Sequence, residues 1–228
     1  QNYRTTPNIL DAANRVIALN VDQKHKTLRT TQETGTDDAV MRLPSDRGEA
    51  EWVCGQIRDH IKSGGKLSDC AVLYRTNAQS RLMEEQFLMH RMPYTIVGGF
   101  RFYDRKEIKD ALALLSFYLS PSSRIHFERI ADALLTRVGP KTIDRWSNIA
   151  REQGISLGLY LSTTEQRADL RAIFSAFREA KQTPHEKVSD LLRLLVTKTG
   201  YLASLENLPD GKERTENINE LFNVAAAY

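Results

Sequence analysis

Gly98-Gly99-Phe100-Arg101-Phe102-Tyr103-Asp104-Arg105-Lys106-Glu107-Ile108-Lys109-Asp110 is the stretch at which one periodicity gives way to another. Two successive glycines supply a flexible turn, Phe102 an apolar anchor and Asp104 a helix cap. Small residues at an element's end absorb changes in φ and ψ, so Gly98 and Gly99 read as a hinge rather than as chemistry. Before this stretch, helical patterns alternate with short apolar runs; after it, only helical patterns remain. The expected fold class is therefore α/β then all-α: a partial parallel-sheet domain over residues 1–107, followed by a helical domain over residues 108–228.

Upstream, Pro93-Tyr94-Thr95-Ile96-Val97 reads as a strand, preceded by a helix from about Ala78 to His90. Cys70-Ala71-Val72-Leu73-Tyr74 is an apolar run of the kind that suits a strand buried on both faces of a parallel sheet. Asp46-Arg47-Gly48-Glu49 resembles a capping box opening a helix with Ala50, Val53, Ile57 and Ile61 on one face, stopped by Gly64-Gly65. Ala39-Val40-Met41-Arg42-Leu43 reads as a further strand. Thr6-Pro7 opens a first helix, with Ile9, Ala13, Val16 and Ile17 at helical spacing to about Asn20. Downstream, Ile108, Ala111, Leu112 and Leu115 share a face of a long helix ending before Pro121. Helices at about Ile125–Leu135 and Pro140–Gln153 follow, the second ended by Gly154. Thr183-Pro184-His185-Glu186 has the form of a capping box before Leu191, Leu194 and Leu195.

The composition narrows the function classes. With 32 Lys and Arg against 29 Asp and Glu, the net charge of +3 permits a nucleic-acid partner without requiring one. Cys54 and Cys70 are too few for a disulfide scaffold, sit in apolar stretches, and fit a reducing cytoplasm. No apolar run approaches 18 residues, which argues against a membrane partner. The histidines (His25, His60, His90, His126 and His185) are scattered, so no metal site is expected. The carboxylate pairs Asp37-Asp38 and Glu84-Glu85 read as solvated, and Trp52 and Trp146 as core or edge aromatics.

Three segments carry chemistry. Gln1-Asn2-Tyr3-Arg4-Thr5-Thr6-Pro7 puts a flat π face and a guanidinium fork at the entrance to a helix, a pairing that suits a nucleotide. Tyr74-Arg75-Thr76-Asn77 follows an expected strand, where ligands of open α/β sheets bind. Arg75 can hold a phosphate and Asn77 can offer a donor and an acceptor; the alternative is that Thr76 or Asn77 simply caps the next helix. Leu135-Thr136-Arg137-Val138-Gly139-Pro140-Lys141-Thr142 lies between two helices. A tight turn ending on a helix N-terminus aims backbone N–H groups at a phosphate oxygen, and the alternative is an ordinary interhelical loop.

These segments together resemble the UvrD/PcrA/Rep family of superfamily 1 DNA helicases, over essentially the whole chain and most strongly to residue 115. The resemblance implies that residues 1–107 begin a second RecA-like motor domain and that 108–228 form its inserted, duplex-contacting helical domain with a helix-hairpin-helix-like element. It implies ATP contacts by Gln1, Tyr3 and Arg4, with Arg4 catalytic at the γ-phosphate and Tyr3 stacked on adenine. Arg75 and Asn77 would line a single-stranded DNA track, and Arg137, Gly139, Lys141 and Thr142 would hold duplex DNA. Arg137 departs from the family pattern, standing where the first glycine of Gly-Ile-Gly is usual. No G-x-x-x-x-G-K-[ST] phosphate loop occurs in the sequence, and it does not begin with methionine, so a piece of a larger motor is expected. ATP and Mg²⁺ would belong to the full-length enzyme, with none bound or hydrolysed by the fragment alone. Expected partners are single-stranded and duplex DNA, the missing first RecA-like domain, and repair or replication proteins. A motor-less DNA-binding or regulatory module, or a subunit of a helicase–nuclease complex, is the alternative.

Overall fold

The computed structural model describes residues 2–21, 27–164 and 167–226. Gln1 and His25 lie outside them. The chain divides into two compact units, Gln1–Glu49 and Ala50–Tyr228.

In the first unit, α1 (Pro7–Ala18) starts from Thr6, an N-cap in the extended region, with Pro7 presetting φ at the first helical position. The Thr6 hydroxyl makes no capping bond, so proline rather than the cap fixes the start. The Asn14 side chain donates to the Leu28 carbonyl at 3.1 Å and accepts the Leu28 N–H at 3.3 Å, which ties Leu28 to the helix. Ser45 caps α2 (Asp46–Lys62): its Oγ accepts the Gly48 N–H at 3.1 Å. The cap therefore falls one residue before the expected Asp46 box.

The second unit is helical. It contains α3 (Ser80–Met89), α4 (Lys106–Leu119), α5 (Arg124–Leu134), α6 (Pro140–Glu152), α7 (Leu157–Thr164), α8 (Ala168–Gln182), α9 (Val188–Lys198), α10 (Tyr201–Glu206) and α11 (Gly211–Ala225). Helix α4 is the central post, with Ile108, Ala111, Leu114 and Phe117 all buried against α5, α9 and α11. Aromatic rings continue the core outward. Phe117 meets Phe127 at 5.2 Å between centroids, and Phe127 meets Trp146 edge-on at 6.3 Å, so Trp146 is core as expected.

The expected parallel sheet is not there. Among the described residues the β-pairing is a single parallel bridge, Asn2 with Thr30. The three runs read as strands, 39–43, 70–74 and 93–97, form no ladder, and apolar side chains in each stand in solvent: Val40 is 98% exposed, Leu73 95% and Val97 92%, while alternate positions such as Val72 and Ile96 are half-buried. The backbone does extend, with Cys70 at φ −102° and ψ 137°, but extension is a local preference and a ladder needs a neighbour. The last two runs instead flank a cleft of about 670 Å³. The RecA-like parallel-sheet layer expected for residues 1–107 is thus corrected to helices joined by extended, unpaired segments.

Two caps also move. Thr183 closes α8 rather than opening α9, because its hydroxyl donates back to the Glu179 carbonyl at 2.9 Å; α9 begins only after Lys187. Asp104 does not cap α4. Its carboxylate holds the Lys109 ammonium at 2.7 Å, and Arg105 is the N-cap.

A buried polar network runs through the helical core. Asp110, 3% exposed, accepts a hydrogen bond from the Tyr201 hydroxyl at 2.9 Å. Arg129 Nε lies 2.7 Å from its other oxygen, but off the N–H direction, so that contact is an ion pair rather than a hydrogen bond. Burial pushes the Asp110 carboxyl above its ordinary range, and the Tyr201 hydroxyl and Arg129 partly offset this. Tyr201→Phe removes the hydroxyl that favours the ionised form, raising that pKa further, and should destabilise the chain by about 1–3 kcal/mol. Because the lost bond serves the carboxylate, the deficit should be full at neutral pH and shrink as pH falls through the Asp110 titration and it protonates. Denaturant unfolding of both proteins from pH 7 to pH 4 checks this; a deficit that grows on acidification would contradict it.

Candidate nucleotide and nucleic-acid surfaces

Asn2 builds the turn that carries Tyr3 and Arg4. Its Oδ1 accepts the N–H groups of Arg4 and Thr5, both at 2.9 Å, while its own N–H donates to the Arg29 carbonyl at 2.8 Å. Gln32 Nε2 donates to the Tyr3 carbonyl at 2.8 Å. The backbone of the turn is therefore pinned on two sides, and both side chains face outward, with Tyr3 72% exposed. An exposed ring beside an exposed guanidinium on a fixed turn can stack on a base and hold a phosphate.

Arg75 and Asn77 separate in the structure. Arg75 is exposed, and its N–H, like that of Thr76, is accepted by Gln79 Oε1, at 2.9 and 3.0 Å. Thr76 is the N-cap of a short 3₁₀ turn, Asn77–Gln79, so local capping is part of what this segment does. Asn77 faces elsewhere: its Nδ2 donates to Glu213 at the start of α11. Asn77, Gly98 and Gly99 line one cleft of about 250 Å³ together with Arg105, Lys106 and Glu213. Gly98 has φ +79°, a conformation that favours glycine, and a Cβ there would meet open space.

Beside this cleft, buried polar residues that no local signal marks tie α3 to the turn before α4. Glu84, expected to be solvated, is 7% exposed; it accepts the Ser80 hydroxyl at 2.8 Å and the Phe102 N–H at 3.1 Å. Arg105, also 7% exposed, donates to Ser80 Oγ at 2.8 Å and to Asn217 Oδ1 at 2.7 Å. Asn217 Nδ2 in turn donates to Glu107 at 2.7 Å. Arg105 and Glu107 lie inside the stretch that decides the fold, but Asn217 is more than a hundred residues away, and no local spacing announces it.

The hairpin joins α5 to α6. Gly139 is the N-cap of α6 with Pro140 at its first position, and its carbonyl accepts the Thr142 N–H at 3.0 Å. Arg137, Lys141 and Arg145 are exposed. Asp144, the acidic residue among them, is held by Arg124 at 2.7 Å, which offsets its charge. The glycine requirement is inverted from what the turn suggests. Gly139 has φ −102° and ψ 173°, extended backbone open to any residue, and a Cβ would meet nothing within 4 Å. Arg137 is the residue in the left-handed region, at φ +58°.

The UvrD-like helicase C-terminal domain model matches residues 1–228, and the chain belongs to that family. It is similar to the ATP-dependent DNA helicase PcrA of Staphylococcus aureus, 36% identical over 240 residues, and to that of Staphylococcus epidermidis, 35% identical. Each match covers 100% of this chain and 33% of the relative, so the chain spans about a third of the length of the curated relatives it matches.

Arg137→Gly should leave stability unchanged or raise it by up to about 1.5 kcal/mol, the relief of about 1–2 kcal/mol of left-handed strain less about 0.5–1 kcal/mol of added backbone entropy in the unfolded chain. Gly139→Ala should be neutral or stabilising by up to about 1 kcal/mol. Urea unfolding midpoints of the two variants decide it, and loss of stability in either would contradict the assigned backbone conformations.

Proposed function

We propose that the chain is part of an ATP-dependent DNA helicase that moves 3′ to 5′ on single-stranded DNA and separates duplex, in cytoplasmic repair or replication. Residues 1–107 would serve the motor and 108–228 would contact duplex DNA. The observation that carries this is the α5–α6 hairpin: a helix N-terminal turn ringed by exposed Arg137, Lys141 and Arg145, with its acidic neighbour Asp144 already paired. Amide groups and cations gathered around one turn match a phosphate backbone and carry no sequence preference.

The Tyr3–Arg4 turn fits ATP in part. Its ring and guanidinium suit a base and a phosphate, but residues 2–6 include no carboxylate for Mg²⁺ and the sequence holds no phosphate loop. ATP, bound with Mg²⁺ by the longer protein, supplies the phosphoryl bond whose hydrolysis drives movement. Tyr3 would orient the nucleotide, and Arg4 would favour the transition state, where charge develops on the transferred group. Arg75 would steady the single strand through its backbone, with Asn77 beside it.

This chain should bind duplex DNA without sequence preference, with a dissociation constant in the range of roughly 10⁻⁴ to 10⁻⁶ M at physiological salt. Lys141→Ala should remove about one unit of counterion release from the salt slope, and Arg137→Gly should weaken binding while leaving the fold intact. Fluorescence anisotropy with two unrelated duplexes across a salt series tests this; unchanged affinity and slope in both variants would make the hairpin structural. In the longer protein, Arg4→Ala should lower turnover far more than nucleotide binding, by about 100-fold if it matches the loss of one charge-stabilising donor, and Tyr3→Ala should mainly weaken binding. Steady-state ATPase and nucleotide titration separate the two.

A further inference from the structure

A second cleft, of about 270 Å³, opens between the C-terminal end of α4, α7 and α8, away from the residues assigned above. Its floor is aromatic: Phe177 lies 6.2 Å from Phe117 and 5.7 Å from Phe174 between centroids. The cleft is open on the α7 side because Gly158 and Ser162 line it there. A Cβ on Gly158 would meet Pro121 at 2.8 Å, so no side chain from that position can fill the space. The hydroxyls along its wall are already used within the helix. Ser156 Oγ accepts the Leu159 N–H at 3.1 Å, and Ser162 Oγ donates to the Leu159 carbonyl at 2.9 Å. The recess is mainly apolar, and Leu159 stands on its rim 49% exposed.

The rim is charged on one side only. Arg178 and Lys181, three positions apart on α8, both border the cleft and are exposed. Among the described residues neither has an acidic partner, whereas Glu179 between them turns away to Lys198 at 2.9 Å. We propose that this cleft docks an acidic peptide segment of a partner protein, one large apolar side chain entering between α7 and α8 while flanking carboxylates meet Arg178 and Lys181. An apolar recess with two cations on one edge complements that pattern of charge and carbon. A phosphate backbone would satisfy the cations and leave the recess without an occupant, so a protein partner is favoured over nucleic acid. The inference stands apart from the helicase reading and survives its failure.

The test uses the 228-residue chain and an acetylated Asp-Glu-Phe-Glu-Asp amide peptide, followed by NMR on methyl and aromatic resonances. Saturable shifts confined to Leu159, Phe174 and their neighbours are expected, with a dissociation constant on the order of 1 mM, suited to one buried ring and two exposed ion pairs. The charge-reversed variant R178E/K181E alters only exposed positions; it should bind this peptide about tenfold more weakly and prefer a Lys-Lys-Phe-Lys-Lys peptide. Ser162→Trp, which fills the recess, should abolish binding of both, with circular dichroism confirming that the helices persist. Absence of shifts at the cleft in the unaltered chain would overturn the proposal. So would equal binding of a Ser-Ser-Phe-Ser-Ser peptide, displacement of the peptide by a short duplex acting on the same resonances, or concentration-dependent self-association blocked by Ser162→Trp.

Discussion

A guanidinium buried among helices sets the terms for the rest of the helical unit. Arg105 is almost wholly removed from water, and its charge is tolerable because Ser80 Oγ, Asn217 Oδ1 and the Phe100 carbonyl accept its protons while the Phe102 ring lies 5.5 Å beneath it. The chain of donors has one direction. Since Asn217 Oδ1 accepts from Arg105, its Nδ2 must donate, and the acceptor in reach is Glu107. Helices α3, α4 and α11 are thereby held in one register, and removing one acceptor would leave a buried charged donor unsatisfied at a cost of about 1–3 kcal/mol. Apolar packing around α4 supplies the bulk of the stability, but grease alone would tolerate several registers that this network forbids.

That network also limits where the chain can bend. From Phe102 onward the backbone is anchored: the Phe102 N–H goes to Glu84, its ring is buried, and Arg105 spans α3 and α11. Gly98, by contrast, sits at φ +79° beside a cleft with nothing near its missing side chain. Any pivot in this stretch is confined to the few residues before Phe102, and the thirteen-residue segment is mostly clamp with a short glycine lead.

The helices were legible because their apolar faces repeat over ten or more residues and their ends carry strong local signals, such as Pro140 at the start of α6 and Gly154, at φ +66°, after its end. The strands were misread for the complementary reason. Ala39–Leu43, Cys70–Tyr74 and Pro93–Val97 have the residues that favour extended backbone, but a sheet is a non-local agreement between runs, and five apolar residues say nothing about whether a partner is in reach. Glu84 was read as solvated for want of the same information, since its partners Ser80 and Phe102 become visible only when α3 packs against the turn before α4. Of the candidate residues read on local turns, Tyr3, Arg4, Arg75, Arg137 and Lys141 are exposed, while Asn77 is tied to Glu213 by a contact spanning more than half the chain.

The hairpin joins strain to charge. A left-handed residue is needed two positions before the N-cap of α6, and glycine would fill it without steric cost, but arginine stands there at φ +58° with its side chain in solvent. Among the described residues no side-chain contact of Arg137 repays that strain; the turn is instead steadied by Arg167, which donates to the Thr136 carbonyl at 2.7 Å. A conformation held against its own preference, supported by a neighbour and carrying an outward cation, is more economically read as a position kept for its charge than as one kept for the fold. Under the proposed function the exchange is coherent. Glycine would give a phosphate closer access to the backbone amides, and arginine gives up that closeness for a charged contact of longer reach. Under that proposal, the residue standing where the resembled family usually has glycine would be the one that offers its charge to the phosphate.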